Sequence, residues 1–503
     1  MATLSVAAIL AENARRRPDR TALVEGDLRL TFAEAWRRSL AQAGALTALG
    51  VRPGDRVALM APNTAEFPLA YYAAMAVGGV VVPVHLLLSA TEVQHVLKDS
   101  GATLLLAHPA QEATARAAAE PLGIRVVVLG EELEKLAVDA EPPHSYVTRS
   151  ADDPAVVFYT SGTTGVPKGA VLSHFNIVMN ATVNAFDAND IRPDDTVLGA
   201  LPLFHAFGQT VSLNSTWRAG ATLVLMPRFD AARAIEIMVA ERVNTFHGVP
   251  TMFVSLAAVA ADAAALPELR LCISGGASLP VAVLERFESA FGAQIYEGYG
   301  LSETSPAATV NQPVFGTRAG TIGHPLWGVD AEIAQADVED RVELLAPGEL
   351  GEVVIRGHNV FSGYLGRPEA TAEALVDGWF RTGDLGTKDE DGFLRIVDRK
   401  KDIIIRGGYN VYPREVEEVL ARHPEIAQVA VIGLPDELHG EEICAVVVPA
   451  PGVTPDAAAI TGWSKEHLGK HKYPRRVEFT DALPLGPSMK VLKRELRTRY
   501  TAR

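Results

Sequence analysis

The 503-residue sequence predicts an α/β protein, with a large N-terminal domain of layered helices and strands followed by a small α+β domain. Through the first 300 residues, short β-branched runs alternate with helical segments, which is typical of buried, mostly parallel strands. From about residue 330 the strands are short and separated by glycines and charged turns, which indicates a β-rich subdomain. A charged turn at 398–402 precedes the last hundred residues and predicts domains of residues 1–400 and 401–503.

Two capping boxes predict where early helices begin. Thr31 with Glu34 begins a helix that extends to about Ala48, and Ser89 with Glu92 begins another. The predicted strands of the large domain share short runs of β-branched or apolar residues, and they are Arg56–Met60, Val80–Val84, Thr103–Ala107, Arg125–Leu129, Thr222–Met226 and Leu271–Ser274. The small domain is expected to contain helices at Pro413–Arg422 and Pro455–Leu468 and strands at Val429–Ile432 and Cys444–Pro449.

The charge balance excludes several classes of binding protein. The chain carries 46 basic and 61 acidic residues, a net charge of −15, which argues against binding to nucleic acid or to an anionic membrane surface. The tail from Lys465 onward differs, with eleven basic and four acidic residues. This tail suits an anionic ligand or the acidic body of the protein, or it is a solvated surface.

The sequence predicts a cytoplasmic protein without an integral membrane segment. The uncharged segment Pro68–Ala90 is long enough to span a membrane, but two glycines and a proline divide it into a helix followed by a strand. No basic region precedes the first apolar stretch, so we expect no signal peptide. Cys272 and Cys444 lack the spacing of a metal or redox motif, which favours a reducing compartment.

The segment Tyr159–Ala170 has the composition of a phosphate-binding loop. Its glycines and hydroxyls allow backbone amides and side chains to converge on phosphate oxygens, while Lys168 supplies a positive charge. It is not a Walker A loop, because Pro167 precedes the lysine and Gly169–Ser173 predicts a strand where that motif requires a helix. Taken alone, the segment also fits a plain hairpin loop.

Two later segments carry side chains that suit a nucleotide. Tyr299, in the Gly-Tyr-Gly turn of residues 298–300, has a ring that can stack on a base, and Glu303 offers a carboxylate for a magnesium ion. Asp384 ends a Gly-rich turn and can accept hydrogen bonds from ribose hydroxyls. Individually, each segment also fits a simple surface turn.

The order of these segments along the chain resembles the adenylate-forming superfamily of acyl-CoA synthetases, adenylation domains and luciferases. The resemblance covers nearly the whole chain. Its motifs follow one another at 159–170, 201–208, 275–277, 296–304, 348–353, 381–384, 398–402 with 407–417, and finally at Lys490. The resemblance implies an ATP-dependent acyl-CoA synthetase that uses ATP, Mg²⁺ and coenzyme A and acts on a small carboxylic acid.

The resemblance also implies the roles of individual residues. The ATP site would comprise Thr160, Ser161, Gly162, Thr163, Thr164, Lys168, Gly275, Gly276, Ala277, Glu297, Tyr299, Ser302, Asp384, Arg399 and Lys490. Within this set the 160–168 loop would hold the β- and γ-phosphates, Tyr299 would stack on adenine, and Ser302 would touch the α-phosphate. Glu303, with Thr163 as a second candidate, would hold Mg²⁺.

Members of this superfamily first convert the acid to an acyl-adenylate, releasing pyrophosphate, and then let a thiol displace AMP. Lys490 corresponds to the lysine placed between the α-phosphate and the attacking carboxylate, where a cation stabilises the transition state. Lys401 corresponds to the hinge of the small domain, and Gly407 and Gly408 to the loop that lines the pantetheine path. Met489 departs from the family, where glycine usually precedes the lysine, and it narrows the backbone conformations of that loop.

The acyl pocket is expected to be lined by small and apolar residues. The resemblance assigns to it His205, Phe207, His247, Val249, Gly298 and Gly300. Gly300 occupies the position at which acetyl-specific relatives have a tryptophan, so the sequence favours a medium- or long-chain fatty acid. Three alternatives remain, namely an aryl (cinnamate-type) acid, an acyl-adenylate loader for a carrier protein, and a catalytically weak nucleotide-binding protein.

Overall fold

The computed structural model describes residues 2–160, 167–486 and 491–501. As predicted, it has a mixed α/β architecture with a large N-terminal domain and a small C-terminal domain. Four sheets carry the fold, two in the layered part of the large domain, one in its β-rich subdomain and one in the small domain.

The strands are short, and the sheets contain them in an order different from that of the chain. In chain order they are β1 (Thr21–Glu25), β2 (Leu28–Thr31), β3 (Arg56–Met60), β4 (Val80–Pro83), β5 (Leu104–Ala107), β6 (Arg125–Val128), β7 (Pro154–Thr160), β8 (Lys168–Ser173), β9 (Thr196–Gly199), β10 (Thr222–Leu225), β11 (Thr245–Gly248), β12 (Leu271–Ser274), β13 (Ile295–Gly300), β14 (Ala307–Val310), β15 (His324–Pro325), β16 (Val329–Ala334), β17 (Gly351–Gly357), β18 (Gly363–Tyr364), β19 (Leu375–Val376), β20 (Trp379–Lys388), β21 (Leu394–Arg399), β22 (Ile404–Arg406), β23 (Tyr409–Val411), β24 (Ile426–Asp436), β25 (Gly440–Pro449) and β26 (Arg476–Phe479).

The helices cover the sheets and fill the space between them. The α-helices are α1 (Ala8–Arg16), α2 (Phe32–Ala48), α3 (Glu66–Ala76), α4 (Ala90–Ser100), α5 (Glu112–Ala119), α6 (Glu131–Asp139), α7 (His174–Val183), α8 (Ser215–Ala219), α9 (Ala231–Ala240), α10 (Pro250–Val259), α11 (Val281–Phe291), α12 (Pro368–Ala374), α13 (Pro413–Leu420), α14 (Ala457–His467) and α15 (Lys493–Thr501). Two π-helices lie at Asn184–Ala188 and Phe207–Asn214. Short 3-10 turns lie at Pro109–Gln111, Glu120–Leu122, Ala260–Asp262, Ser302–Thr304 and Lys400–Asp402.

The two sheets of the layered part are mostly parallel, as the apolar strand runs predicted. The nine-stranded sheet has the order β15-β14-β13-β12-β11-β9-β10-β1-β2 and is parallel from β13 to β1. The seven-stranded sheet has the order β18-β8-β7-β4-β3-β5-β6 and is parallel from β7 to β6. In both sheets the antiparallel strands lie at the edges, where βαβ crossovers are not needed.

The largest buried cluster contains residues from both sheets and from α2, α3, α7 and α8. Its largest fully buried side chains include Trp217, Tyr71, Tyr72 and Phe32. Both predicted capping boxes are confirmed. In the first, Glu34 N donates to Thr31 Oγ1 and Thr31 N donates to Glu34 Oε2, and Ser89 and Glu92 repeat the pattern at α4.

The β-rich subdomain follows with an antiparallel sheet, and the small domain with a sheet that is antiparallel except for the parallel pair β25 and β26. Strands β16, β17, β19, β20 and β21 form the sheet of the subdomain, and β22 to β26 form that of the small domain. The two are joined at α13, where Arg414 donates its backbone N–H to Asp398 Oδ2 (2.9 Å) and its Nη1 to the Ile396 carbonyl oxygen (2.6 Å). Because Ile396 and Asp398 belong to β21, the small domain packs directly against the strand that precedes the predicted hinge.

The segment Pro68–Ala90 forms the predicted helix and strand, α3 and β4, and both are buried. Among the residues that the structure describes, no helix combines the length and the hydropathy needed to cross a membrane. Cys272 and Cys444 are buried and unpaired. The cytoplasmic location and the domain limits near residue 400 stay predictions.

Candidate active site

The predicted site residues converge at the carboxyl ends of β11, β12 and β13. In parallel sheets these ends form the crevice in which α/β proteins bind their ligands. Ser274, the last residue of β12, pairs with Glu297 of β13, so Gly275–Ala277 lie beside the Gly-Tyr-Gly turn of 298–300. Gly276 has a φ of +80°, a backbone conformation that favours glycine.

The predicted phosphate loop connects β7 and β8. Thr160 and Lys168 pair across this hairpin, so both stand at the base of the loop. The chain continues from Lys168 as a strand, not a helix, which confirms that the segment is not a Walker A motif. Ser161, Gly162, Thr163 and Thr164 lie outside the described residues, and their assigned phosphate contacts stay predictions.

Tyr364 links the loop lysine to the candidate magnesium ligand. Its hydroxyl donates a 2.9 Å hydrogen bond to Glu303 Oε1, and Lys168 Nζ lies 5.2 Å from the centre of its ring. Burial and the Glu303 charge raise the pKa of Tyr364, so the phenol keeps the proton that it donates. The strand pair β18 and β8 positions this side chain, because Tyr364 pairs with Ala170 only two residues from Lys168.

Glu303 fits the role of a magnesium ligand. It is buried in the turn Ser302–Thr304, and Phe361 N donates to its backbone carbonyl oxygen. Carboxylate oxygens are hard donors of the kind that Mg²⁺ prefers, and the Tyr364 hydrogen bond holds this one in a single orientation. A bound Mg²⁺ would neutralise phosphate charge beside Lys168.

Tyr299, Asp384 and Arg399 form a second polar group. The Tyr299 hydroxyl donates to Asp384 Oδ2 at 2.6 Å, and Arg399 Nε lies 3.2 Å from Asp384 Oδ1. Asp384 and Arg399 are cross-strand partners in β20 and β21, so the antiparallel ladder holds the ion pair. Burial, together with the Asp384 charge, raises the pKa of Tyr299, which therefore stays protonated and keeps the hydrogen bond that it donates.

Glu297 is a buried carboxyl group with an incomplete set of partners. Leu279 N donates to its Oε1 at 3.0 Å, while Oε2 is buried and has no hydrogen-bond partner among the described residues. Burial raises the pKa of Glu297 to about 7, and the Arg414 guanidinium partly opposes this shift. A nucleotide contact from Oε2 fits this geometry and stays a prediction.

The acyl side of the site is a small crevice with a mostly apolar lining. It brings three predicted acyl residues, His205, Phe207 and Val249, into contact with the same space as Gly276 of the nucleotide side. Its other lining residues are Leu201, Pro202 and Gly208. A side chain at Gly275 would place its Cβ 3.1 Å from the Phe207 ring, so the glycine lets the ring lie against the backbone of the loop.

Three other predicted acyl residues do not line this crevice. His247 is fully buried, and its Nδ1 lies 3.2 Å from Ser212 Oγ. A Cβ at Gly298 would lie 3.3 Å from the Thr309 carbonyl oxygen, and one at Gly300 would lie 1.8 Å from that of Pro306. Close backbone approach therefore accounts for glycine at position 300, so its presence does not by itself support a long pocket.

The predicted residues of the small domain do not line the crevice or lie outside the described residues. Lys401 is exposed in the turn Lys400–Asp402, and desolvation of its ammonium group together with the Arg399 charge lowers its pKa. Gly407 and Gly408 form an exposed turn between β22 and β23, both with positive φ. Lys490 and Met489 are not among the described residues, although Leu485 and Val491 on either side form a β-bridge.

The sequence interpretation missed two groups that the structure brings together. Tyr364 belongs to none of the motifs found in the sequence. Only the nearby glycines at 363 and 366 could have marked its position. Lys493 forms a 2.7 Å ion pair with Glu417, three residues after Lys490. The ion pair fixes the C-terminal segment to α13, and the Arg414 contacts hold α13 against β21.

Comparisons with known proteins agree with this geometry. The chain matches the AMP-binding enzyme model over residues 10–365 and the AMP-binding enzyme C-terminal domain model over residues 415–490. It is 41% identical to a feruloyl-CoA synthase of Amycolatopsis sp over 97% of both chains. It is 35% identical to a long-chain-fatty-acid–CoA ligase of Bacillus subtilis (strain 168), over 97% of this chain and 93% of the relative. ATP-bound MatB from Rhodopseudomonas palustris superimposes with a TM-score of 0.89 at 33% identity, over 98% of this chain and 99% of MatB.

Proposed function

We propose that the acid used by this chain is an aromatic, cinnamate-type carboxylic acid. The chain belongs to the AMP-binding enzyme family and is an AMP-forming acid–thiol ligase that uses ATP, Mg²⁺ and coenzyme A. The observation that carries the proposal is the 41% identity to a feruloyl-CoA synthase over 97% of both chains. The crevice agrees with it, because its lining is mostly apolar and includes the Phe207 ring, which lies close to the backbone of Gly275. Aromatic rings pack favourably in such a slot, with one ring face or edge against Phe207.

The glycine at position 300 does not favour a fatty acid over an aromatic one. A Cβ there would lie 1.8 Å from the Pro306 carbonyl oxygen, so the backbone already requires glycine at this position.

The chemistry of the lining supports a monocarboxylic acid. The seven lining residues include no lysine, arginine, aspartate or glutamate. A second carboxylate on the acid would be buried there without a counter-charge, which is costly. The 41% identity to a feruloyl-CoA synthase over nearly the full length of both chains supports the same class of acid.

Different residues of the assigned set would act in the two half-reactions. In the first, Lys168 and Glu303 with its Mg²⁺ would hold the phosphates, Tyr299 the adenine, and Asp384 the ribose. Lys490 would stabilise the charge that develops as the carboxylate attacks the α-phosphate and pyrophosphate leaves. In the second, rotation of the small domain about Lys401 would bring Gly407 and Gly408 to the site, where the thiolate of coenzyme A attacks the acyl carbon and AMP leaves.

A substrate panel tests the proposal. Purified full-length protein is given ATP, Mg²⁺ and coenzyme A with ferulate, 4-coumarate, cinnamate, benzoate, hexanoate, octanoate or palmitate, and AMP and acyl-CoA are both quantified. We expect the three cinnamate-type acids to have the highest kcat/KM, by roughly ten-fold or more over octanoate, because discrimination between apolar acids in one pocket is worth about 1–3 kcal/mol.

Other outcomes identify the alternatives. A higher kcat/KM for octanoate or palmitate than for every aromatic acid would contradict the proposal in favour of a fatty-acid ligase. Formation of AMP that depends on a carrier protein instead of coenzyme A would indicate a loader. ATP binding without pyrophosphate exchange for any acid would indicate a nucleotide-binding protein without turnover.

A further inference from the structure

The segment that supplies most of the crevice wall is held by a residue that belongs to none of the sequence motifs. Five of the seven lining residues lie between positions 201 and 208, just after β9. Asn63, between β3 and α3, binds the start of this segment through its side-chain amide. We propose that Asn63 is a positioning residue for the acid, because its amide fixes the backbone that forms the crevice wall; this inference rests on the crevice being the acid site of the proposed function.

Asn63 makes three hydrogen bonds with one short stretch of backbone. Its Nδ2 donates to the carbonyl oxygens of Gly199 (2.9 Å) and Leu201 (2.8 Å), and its Oδ1 accepts from Leu203 N (2.9 Å). A carboxamide offers two N–H donors and one carbonyl acceptor, so this side chain uses both of its polar ends. Only 3% of Asn63 is exposed, so water competes little for these bonds.

These contacts join the two sheets of the layered part. Asn63 follows β3 of the seven-stranded sheet, whereas Gly199 is the last residue of β9 in the nine-stranded sheet. Two residues after Asn63, Ala65 N donates to Glu25 Oε2 at 2.7 Å, and Glu25 ends β1 of the nine-stranded sheet. The turn that carries Asn63 is therefore bonded to that sheet at two strands, which gives the amide a fixed base.

The bonded stretch leads directly into the crevice. Leu201 and Pro202 are themselves lining residues, and the Pro202 carbonyl oxygen accepts from His205 N at 3.1 Å. A Cβ at Gly208 would overlap the Pro202 carbonyl oxygen, so the first turn of the π-helix rests against the same backbone. A shift of the stretch held by Asn63 would therefore displace several parts of the crevice wall together.

Removal of the amide should misplace this wall. Leu201 and Leu203 are buried, so Asn63→Ala leaves a carbonyl oxygen and an N–H without that partner, which is costly unless the backbone moves. A displacement of about 1 Å can reduce a rate by roughly 10²-fold. We expect Asn63→Ala to lower kcat/KM for the best acid of the substrate panel by about ten- to hundred-fold. The KM for ATP should stay close to that of the wild type, because Tyr299 and Asp384 lie on other elements.

Asn63→Asp separates hydrogen bonding from the filling of space. Aspartate has the same shape and keeps an acceptor for Leu203 N, but it replaces the amino group with an oxygen that faces two carbonyl oxygens. We expect Asn63→Asp to lose at least as much kcat/KM for the acid as Asn63→Ala. Wild-type use of the acid by Asn63→Asp would overturn the inference, because the donated bonds would then be unnecessary.

Asn13 provides a matched control. It is 4% exposed, its Nδ2 donates to the carbonyl oxygens of Ile9 (3.2 Å) and Trp217, and its Oδ1 accepts from Arg17 Nη1 (2.9 Å). None of these partners is a lining residue of the described crevice. Asn13→Ala should lower the free energy of unfolding but leave kcat/KM for the acid near the wild-type value. A loss in Asn13→Ala equal to that in Asn63→Ala would indicate general destabilisation and contradict the positioning role.

Hydrogen exchange in the wild-type protein tests the contact even if the Asn63 variants do not fold. The Leu203 amide lies outside the strands and helices, and its proton is donated to Asn63 Oδ1. We expect this proton to exchange as slowly as the amides of β9, because the bond is buried. Exchange at the rate of an exposed loop would show that the stretch is not held, and would overturn the inference.

Failure of the proposed function is distinguishable from failure of this inference. If a fatty acid is the best acid of the panel, the aromatic proposal fails, and the same Asn63 variants test the positioning role with that acid. If aromatic acids are best but Asn63→Ala changes KM for ATP as much as kcat/KM for the acid, or changes neither, only the inference fails. If the wild-type protein activates no acid, both fail.

Discussion

The nucleotide end and the acyl end of the site are built in different ways. At the nucleotide end, two carboxylates have partners that orient them: Glu303 has Tyr364, and Asp384 has Tyr299 and Arg399. At the acyl end the crevice is lined by apolar residues, glycines and one imidazole. The polar groups of the nucleotide end are thus oriented by the protein itself, whereas the acyl end offers mainly an apolar surface.

This difference matches the chemistry of the two half-reactions. ATP and Mg²⁺ are common to the family, and their charges require partners held in advance. The acid varies between relatives, and an apolar slot changes its specificity with small changes in shape or a single polar group. The predictions below test whether the nucleotide end behaves as a fixed framework on which the acyl end varies.

The largest expected effect belongs to Lys490. We expect Lys490→Ala to reduce the rate of acyl-adenylate formation by roughly 10²–10³-fold, by analogy with the loss of one oxyanion-hole donor. Pyrophosphate exchange measures this step, and formation of the thioester from supplied acyl-adenylate and coenzyme A should change little. Lys470→Ala, at an exposed lysine of the same tail, is the control. Comparable rates for the two variants would contradict the role assigned to Lys490.

The hinge is expected to separate the two half-reactions. Lys401→Pro fixes φ at the turn Lys400–Asp402 and should hinder rotation of the small domain. We expect about a ten-fold or greater loss of thioester formation with pyrophosphate exchange nearly unchanged. Lys401→Ala removes the same side chain but leaves the backbone free, and it should retain both activities. Equal loss of both half-reactions in Lys401→Pro would count against a hinge.

Tyr364 is expected to have a smaller, metal-specific effect. Tyr364→Phe keeps the ring beside Lys168 but removes the hydrogen bond to Glu303, so the carboxylate is less well oriented. We expect the Mg²⁺ concentration for half-maximal ATP binding, measured by calorimetry, to rise by about three- to ten-fold. Tyr364→Leu, which also removes the ring, should weaken binding further. A normal Mg²⁺ requirement in Tyr364→Phe would show that the hydroxyl does not position Glu303.

Glu297 is expected to affect stability and its pH dependence. Its pKa is raised from 4.5 to about 7 by burial, so the folded state binds a proton that the unfolded state has released. Its stabilising contribution is therefore complete below about pH 4.5 and is lost as the pH rises toward 7. Glu297→Gln mimics the protonated group. At about pH 8 it should raise the free energy of unfolding by roughly 1–3 kcal/mol relative to the wild type.

Urea denaturation at about pH 5 and pH 8 checks this result. The increase in the free energy of unfolding from Glu297→Gln should be largest at pH 8, where the wild-type carboxyl is ionised, and small at pH 5. A pKa shift of one unit corresponds to about 1.4 kcal/mol. Glu25→Gln is a useful comparison, since burial also raises the pKa of Glu25. That residue is partly exposed and lies outside the site. A gain from Glu297→Gln that does not depend on pH would contradict the raised pKa.

Much of the framework follows from local sequence. The capping boxes at Thr31 and Ser89 and the apolar strand runs encode their elements within a few residues, and the structure confirms them with small differences at the ends. Tyr299, Asp384 and Arg399 are brought together as the motif order implied. Contacts such as Tyr364 with Glu303 and Ser212 with His247 join residues 61 and 35 positions apart, and no local pattern encodes them.

The acyl end was the least predictable part for a physical reason. Apolar pocket residues have the same character as core residues, so only their depth in the fold separates the two. Gly300 illustrates the difficulty, because the backbone of Pro306, not the substrate, requires glycine there. His247 was assigned to the acyl pocket from the sequence. Its burial and its contact with Ser212 depend on how the π-helix packs on β11, which no local pattern encodes.

A crystal structure of the protein with 4-coumaroyl-AMP tests the central claim most directly. The account predicts AMP bound at Tyr299 and Asp384, with the coumaroyl ring between Phe207 and Gly276. A coumaroyl ring bound away from Phe207 would contradict the account of the acyl end.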